Sequence, residues 1–200
     1  QNVIKKRFEE ILGKKANGFI VSILNTVNSN KLFGNVDPNS ILKAALVAAS
    51  LDLPIDPNLG FAYIIPYGKE AQFQIGYKGL VQLAIRSGQY KHINVAKLYD
   101  GQFMHYDPII DYLEYDLSTK NSDEVTHYVA FFKTLNGFEK YYVMSKEEVE
   151  KHGKAYSKAY NSSHSPWKSD FDTMAQKTVL KQLIGKFGIL SIEMQLAQKA

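Results

Sequence analysis

The chain has 200 residues, 45% hydrophobic and 22% charged, which fits one globular domain and excludes a wholly disordered, collagen-like or coiled-coil polypeptide. It contains no cysteine, so disulfide scaffolds, thiolate zinc sites and cysteine nucleophiles are ruled out, and apolar runs such as 41–51 are too short and interrupted to cross a bilayer. The net charge of +4 is modest but unevenly spread.

The first 50 residues read as helices, with Asp37-Pro38 as an N-cap followed by a proline in the first turn. The stretch 51–60 carries Pro54, Pro57 and Gly60 and is expected to be irregular. Segments 61–67 and 71–77 read as a hairpin turning near Gly68-Lys69. In its second strand Phe73, Ile75 and Tyr77 alternate with Gln72 and Gln74, giving one apolar and one polar face. A helix over 77–87 should follow, ended by Gly88. Segment 91–99 reads as a third strand, and 100–124 as an exposed loop or short strands. Segments 126–135 and 137–144 form a hairpin with Asn136-Gly137 at the turn. Ser145 and Glu148 make a capping box that opens a helix to about residue 160. After a loop at 161–166, a last helix should run over about 169–187 and stop at Gly188. The order predicts an α+β fold over 1–200 as a single domain, a small antiparallel sheet of the two hairpins and strand 91–99 packed with helices.

Enzyme signatures are missing. Gly185-Lys186 lacks the upstream glycine and following hydroxyl of a P-loop, and no GxSxG, HExxH or dinucleotide fingerprint occurs. The histidines, His92, His105, His127, His152 and His164, show no metal-ligand spacing, and His164 in its serine-rich loop reads as a surface residue. Asp100, Asp107, Asp111, Glu114, Asp116, Asp123 and Glu124 cluster in one stretch. A two-metal nuclease needs such carboxylates fixed on rigid elements, whereas these fall in an expected loop. They read as a solvated acidic face, or as a contact for a basic surface of a neighbouring subunit. A metal-dependent nuclease and a monomeric RNA-binding module remain the alternative functions.

Residues 60–99 carry net +4, 100–124 net −6 and 151–200 net +5, so basic segments flank an acidic one. Such basic segments point to a polyanion or to a solvated surface. At about 100° per residue, Lys78, Gln82 and Arg86 share one side of the 77–87 helix, opposite the apolar arc of Tyr77, Leu80, Val81, Leu83, Ala84 and Ile85. That side has no acid, and Gly79 leaves room there for close approach. In the last helix Lys177 and Lys181 project together beside an arc of Ala175, Val179, Leu180, Leu183, Ile184 and Phe187. Like charges at i, i+4 repel by a few tenths of a kcal/mol, roughly, and an anion between them would reverse the sign. Trp167, at a loop-helix junction, either staples the helix to the core or offers a stacking platform or subunit seat.

Two segments, YIIPYGKEAQFQIGYKGLVQLAIRSG (63–88) and SPWKSDFDTMAQKTVLKQLIGKFG (165–188), closely resemble the RecT family of phage and prophage recombinases. The first carries the strand-turn-strand-helix block with its GYKG-like step, Gly76 to Gly79. The second carries the block of Trp167, Phe171, Met174, Lys177 and Thr178. The resemblance implies ATP-independent annealing of complementary single-stranded DNA, with no covalent catalysis, by a protein that assembles into rings or filaments. It implies single-stranded DNA, the duplex product, further copies of the chain and a phage exonuclease as partners, in the cytoplasm of a bacterial host, with no membrane. The family's C-terminal tail is linked to host single-strand-binding protein, and the chain shows little sign of it up to Ala200. No cofactor is expected, and a divalent cation is not readable.

Backbone phosphates must be neutralised without reading bases. The first choices for DNA binding are Lys78, Arg86, Lys177 and Lys181, with Lys69, Lys91 and Lys97 behind them. Gln72, Gln74, Tyr77 and Gln82 complete the expected set, as two walls of one groove.

Overall fold

A computed structural model describes residues 2–157, 160–163 and 165–189; His164 and the stretch ending at Ala200 lie outside them. The chain divides into two compact units, one built from residues up to Ser87 and one from Gly88–Gly188. No helix among the described residues is long and apolar enough to cross a membrane.

The first unit begins with helices α1 (Asn2–Leu12), α2 (Ala16–Ser29) and α3 (Pro38–Ser50). Asp37 caps α3 as expected, its carboxylate accepting from the Asn39 amide at 3.0 Å with Pro38 in the first turn. Ala44, Ala45, Ala48 and Ala49 form the buried face of α3, and side chains this small let the neighbouring hairpin approach closely. That hairpin pairs β1 (Ala62–Tyr67) with β2 (Glu70–Ile75) around Gly68, whose φ of +63° a side chain rarely adopts. Two bonds stitch it to the start of α3. The Asp37 amide donates to the Lys69 carbonyl at 2.8 Å, and the Ala71 amide to the Ser40 hydroxyl at 2.8 Å. Ala71, Phe73 and Ile75 are buried while Glu70, Gln72 and Gln74 are exposed, the alternation a half-buried strand requires. Helix α4 (Tyr77–Ser87) follows at its expected bounds, with Gly88 at φ +65° after it.

The second unit is built on an antiparallel sheet of order β3-β6-β7, from β3 (Tyr90–Tyr99), β6 (Val125–Thr134) and β7 (Glu139–Ser145). A separate hairpin joins β4 (Phe103–Asp107) to β5 (Tyr112–Tyr115). Helix α5 (Lys146–Tyr156) opens with the full Ser145–Glu148 capping box. The short α6 (Pro166–Ser169) precedes α7 (Phe171–Phe187). Tyr128, Ala130 and Phe132 alternate along one face of β6, and Ala175, Val179, Leu180, Leu183 and Ile184 of α7, which packs on that sheet, are buried. On the opposite face Val129, Phe131 and Tyr141, with Leu113, Tyr115 and Leu117, line a pocket of about 320 Å³.

The α+β class with antiparallel pairing stands, with refinements. The β1–β2 hairpin is a two-stranded sheet of its own, because its apolar face is covered by α3. The 100–124 stretch holds the short strands β4 and β5, one of its two expected forms, and His127 stacks on Phe103 with ring centroids 3.7 Å apart. Helix α5 ends at Tyr156, short of residue 160. The last helix starts at Phe171, because Asp170, at φ −152° and ψ 74°, breaks from α6 and caps α7 by accepting from the Thr173 amide at 3.1 Å.

Candidate nucleic-acid interface

In the first unit the expected residues gather on the hairpin and α4. The register sets Gln74 opposite Tyr63, Gln72 opposite Ile65 and Glu70 opposite Tyr67, so these six share the outward face of the hairpin. Lys69 stands exposed at the turn. Tyr63 and Tyr67 are absent from the sequence-derived set. The signal for them was the period-2 alternation of the first strand combined with the hairpin register. Burial, and then the Tyr77 hydroxyl, push the Tyr63 phenol above its usual value, so the Tyr63 ring stays a neutral donor.

Tyr77 is half-buried at the start of α4, Lys78 is exposed and Gln82 half-buried. A Cβ at Gly60, itself at φ +75°, would lie 3.3 Å from the Tyr63 hydroxyl and 3.6 Å from the Lys78 Cδ. The Lys78 stem thus passes over Gly60 beside the Tyr63 hydroxyl. Gly79 differs from its expected role. It is buried, and a Cβ there would sit 2.2 Å from the Phe61 carbonyl oxygen. The room it leaves is filled by backbone, not by a ligand. Gly76 is equally tight, 2.1 Å from the Gly60 carbonyl oxygen by the same measure.

Arg86 is exposed, as helical periodicity describes, but it is not a free surface cation. Its guanidinium donates to the carbonyl oxygens of Leu51 at 2.7 Å and Asp52 at 2.8 Å. It closes the C-terminal end of α3, where helical carbonyls lack intrahelical partners. Replacing it together with Lys78 would therefore disturb the fold as well as any DNA contact.

In the second unit Lys91 is exposed, at a register shift between Tyr90 and His92 that forms a β-bulge. Lys97 is drawn inward. Its Nζ lies 3.0 Å from Asp172 Oδ2, while the Tyr128 hydroxyl donates to Asp172 Oδ1 at 2.6 Å. Burial opposes ionisation of Asp172, but the hydrogen bonds from Tyr128 and Lys97 outweigh it and hold the carboxyl below its usual range. Asp172 in turn raises Lys97. This network ties β3 and β6 to the first turn of α7, so Lys97 has a structural role the sequence did not reveal. Lys181 is exposed and Lys177 half-buried one turn earlier on α7. Thr178 bonds back to the Met174 carbonyl at 2.8 Å.

Trp167 resolves to the staple. It is 6% exposed, 5.3 Å from the Tyr160 ring and 5.7 Å from Phe171. Among the described residues its Nε1 has no hydrogen-bond partner.

The acidic stretch spends its oxygens locally. Asp107 caps the Ile109 amide, Asp116 the Ser118 amide and hydroxyl, and Asp111 accepts from Tyr106, Lys140 and the Tyr141 amide. Among the described residues no group of three or more His, Asp or Glu is placed to hold a metal ion.

The sequence matches the RecT family over residues 17–200. The chain belongs to the RecT family. It is 50% identical over 192 residues to the uncharacterized protein YqaK of Bacillus subtilis (strain 168), covering 96% of this chain and 66% of that protein. It is 31% identical over 173 residues to Protein RecT of Escherichia coli (strain K12), covering 82% of this chain and 63% of that protein. The chain thus spans just under two thirds of the length of these curated relatives. Part of the two RecT-like blocks serves packing: Gly76 and Gly79 seat α4 against the 60–61 backbone, and Trp167 and Phe171 form a ring cluster at the start of α7.

Proposed function

We propose that the chain holds single-stranded DNA by its backbone and pairs it with a complementary strand, without ATP and without a covalent step, as an oligomer or filament. The observation that carries this reading is the RecT family match over residues 17–200. The surface chemistry supports it. Exposed Lys69, Lys78, Lys91 and Lys181 offer charges for phosphates. Gln72 and Gln74 supply hydrogen bonds without base choice, and Tyr63 and Tyr67 beside them supply rings on which any base can rest. Annealing requires the base edges to stay free for the second strand, which such contacts permit. In the second unit Lys177 sits one helical turn from Lys181 and joins its proposed contacts, and in the first unit Tyr77 and Gln82 lie on the same helix as Lys78. Arg86 and Lys97 contribute in this reading through the fold. The partners are single-stranded DNA, the duplex product, other copies of the chain and an exonuclease that exposes the strand.

The test is a fluorescence-quenching assay with two complementary oligonucleotides, without nucleoside triphosphate. The protein should accelerate pairing, and Lys78→Glu should abolish the acceleration while leaving thermal unfolding unchanged. Pairing no faster than without protein overturns the reading, and strand cleavage dependent on a divalent cation replaces it with a nuclease.

A further inference from the structure

Two of the three most exposed large hydrophobic side chains among the described residues are neighbours. Ile109 is 90% exposed and Ile110 71%, at the tip of the β4–β5 hairpin. The tip is rigidly built. Asp107 accepts from the Ile109 amide at 2.8 Å, and Asp111, at φ +56°, receives the Tyr106 hydroxyl at 2.9 Å, the Lys140 ammonium at 2.8 Å and the Tyr141 amide at 3.0 Å. Two branched aliphatic side chains are thus held out from β7 in a fixed conformation. An anchor ordered before binding loses little entropy when it docks. The hairpin, 103–117, carries four acids and no lysine or arginine.

The first unit offers the opposite chemistry. Residues 2–29, which form α1 and α2, hold five basic and two acidic side chains. Ile11, Val21 and Leu24 on these helices are about half exposed, at 46%, 54% and 53%. An open pocket of about 530 Å³ lies there, lined by Leu12, Phe19, Leu53 and Pro54 together with Lys15, Arg86 and Asp52, and the Asp52 carboxylate accepts from the Lys15 ammonium at 2.7 Å. A Cβ on Gly18 would meet nothing within 4 Å, so the pocket floor is open at that position.

We propose that the Ile109-Ile110 tip of one copy seats in the α1–α2 pocket of a second copy, an apolar plug steered by an acidic hairpin toward a segment of net positive charge. Plug and socket are different surfaces, so the contact is heterologous and repeats into a ring or filament. The inference deepens the oligomer part of the proposed function and rests on it. A wedge between DNA bases is the rival use of such a tip, but the hairpin's four carboxylates and lack of cations would repel the phosphates on either side.

Two variants test the contact without threatening the fold. Ile109→Ser with Ile110→Ser alters only exposed side chains. Gly18→Leu fills the pocket and places a better helix former in α2. Sedimentation velocity of each, with and without single-stranded DNA, should show monomer where the unaltered chain assembles. An equimolar mixture should form a 1:1 dimer and nothing longer, because it contains one intact plug and one intact socket. Either variant assembling like the unaltered chain overturns the proposal, as does a mixture that stays monomeric. Normal assembly of the isoleucine variant with weakened DNA binding assigns the tip to DNA instead. An unaltered chain that anneals DNA yet remains monomeric overturns the plug and the oligomer while leaving the annealing reading intact.

Discussion

The Nη1 of Arg86 donates to the carbonyl oxygen of Leu51 at 2.7 Å, which joins the last turn of α4 to the residue that ends α3. The same guanidinium reaches the Asp52 carbonyl, and Asp52 sits at φ +47°, outside the usual range for a residue with a side chain. Arg86→Ala removes both donors, and denaturant unfolding should show a loss of about 1–3 kcal/mol. Arg86→Lys should recover only part of it, because one ammonium cannot reproduce the planar fork. Unchanged stability in the alanine variant would mean that the two carbonyl bonds do not hold the fold and would leave Arg86 its surface charge alone.

Gly79 stands where α4 meets the 60–61 backbone. Gly79→Ala would place a methyl group 2.2 Å from the Phe61 carbonyl oxygen and 2.8 Å from Ile75 Cγ1. Helix propensity favours the alanine by about 1 kcal/mol, but the overlap demands a backbone shift costing about 1–3 kcal/mol or more. The variant should therefore melt at a lower temperature than the parent. A rise in melting temperature would mean that the α4 contact yields easily.

Asp172 links stability to acid. Its carboxyl is held below the ordinary range, so its contribution is complete above the unfolded carboxylate pKa and is lost as pH falls through the folded value. Asp172→Asn should flatten the acid limb of the stability profile below about pH 4. Tyr128→Phe should cost about 1 kcal/mol at neutral pH. An acid limb that is the same in Asp172→Asn and parent would remove Asp172 from this role.

His127 acts at a higher pH. Burial pushes its imidazole below the usual value while Glu148 pulls the other way. A depressed histidine stabilises fully above the unfolded imidazole pKa of about 6.5 and loses that contribution as pH falls toward the folded value. The parent should therefore lose thermal stability from about pH 7 to pH 5. His127→Phe keeps a ring against Phe103 and should reduce the slope. Some slope should remain, because burial and Lys186 also lower His152.

The lysines on α7 are tested by salt. Each phosphate neutralised adds about −0.7 to the slope of log affinity against log salt for a single strand. Lys177→Ala with Lys181→Ala should make the slope shallower by roughly one to two neutralised phosphates, equally for unrelated sequences. An unchanged slope would place the DNA elsewhere.

The sequence by itself determined what is local. Asp37-Pro38, the Ser145–Glu148 box, Gly68, Gly88 and the Asn136-Gly137 turn fix element ends through bonds or dihedrals within a few residues, and each sits where the pattern put it. The alternation of Gln72 and Gln74 with Phe73 and Ile75 likewise fixed which strand face is wet. Only the tertiary structure decided the work of residues whose partners are distant in the chain. Arg86 meets carbonyls 34 and 35 positions away, and Lys97 meets Asp172 75 positions away. Helical or strand periodicity shows which side a cation leaves from, but not whether a carbonyl or carboxylate waits there. Gly79 shows the same limit. A missing side chain on the polar side of a helix can mark space for a ligand or for another stretch of backbone, and only the packing of the 60–61 segment against α4 distinguishes the two.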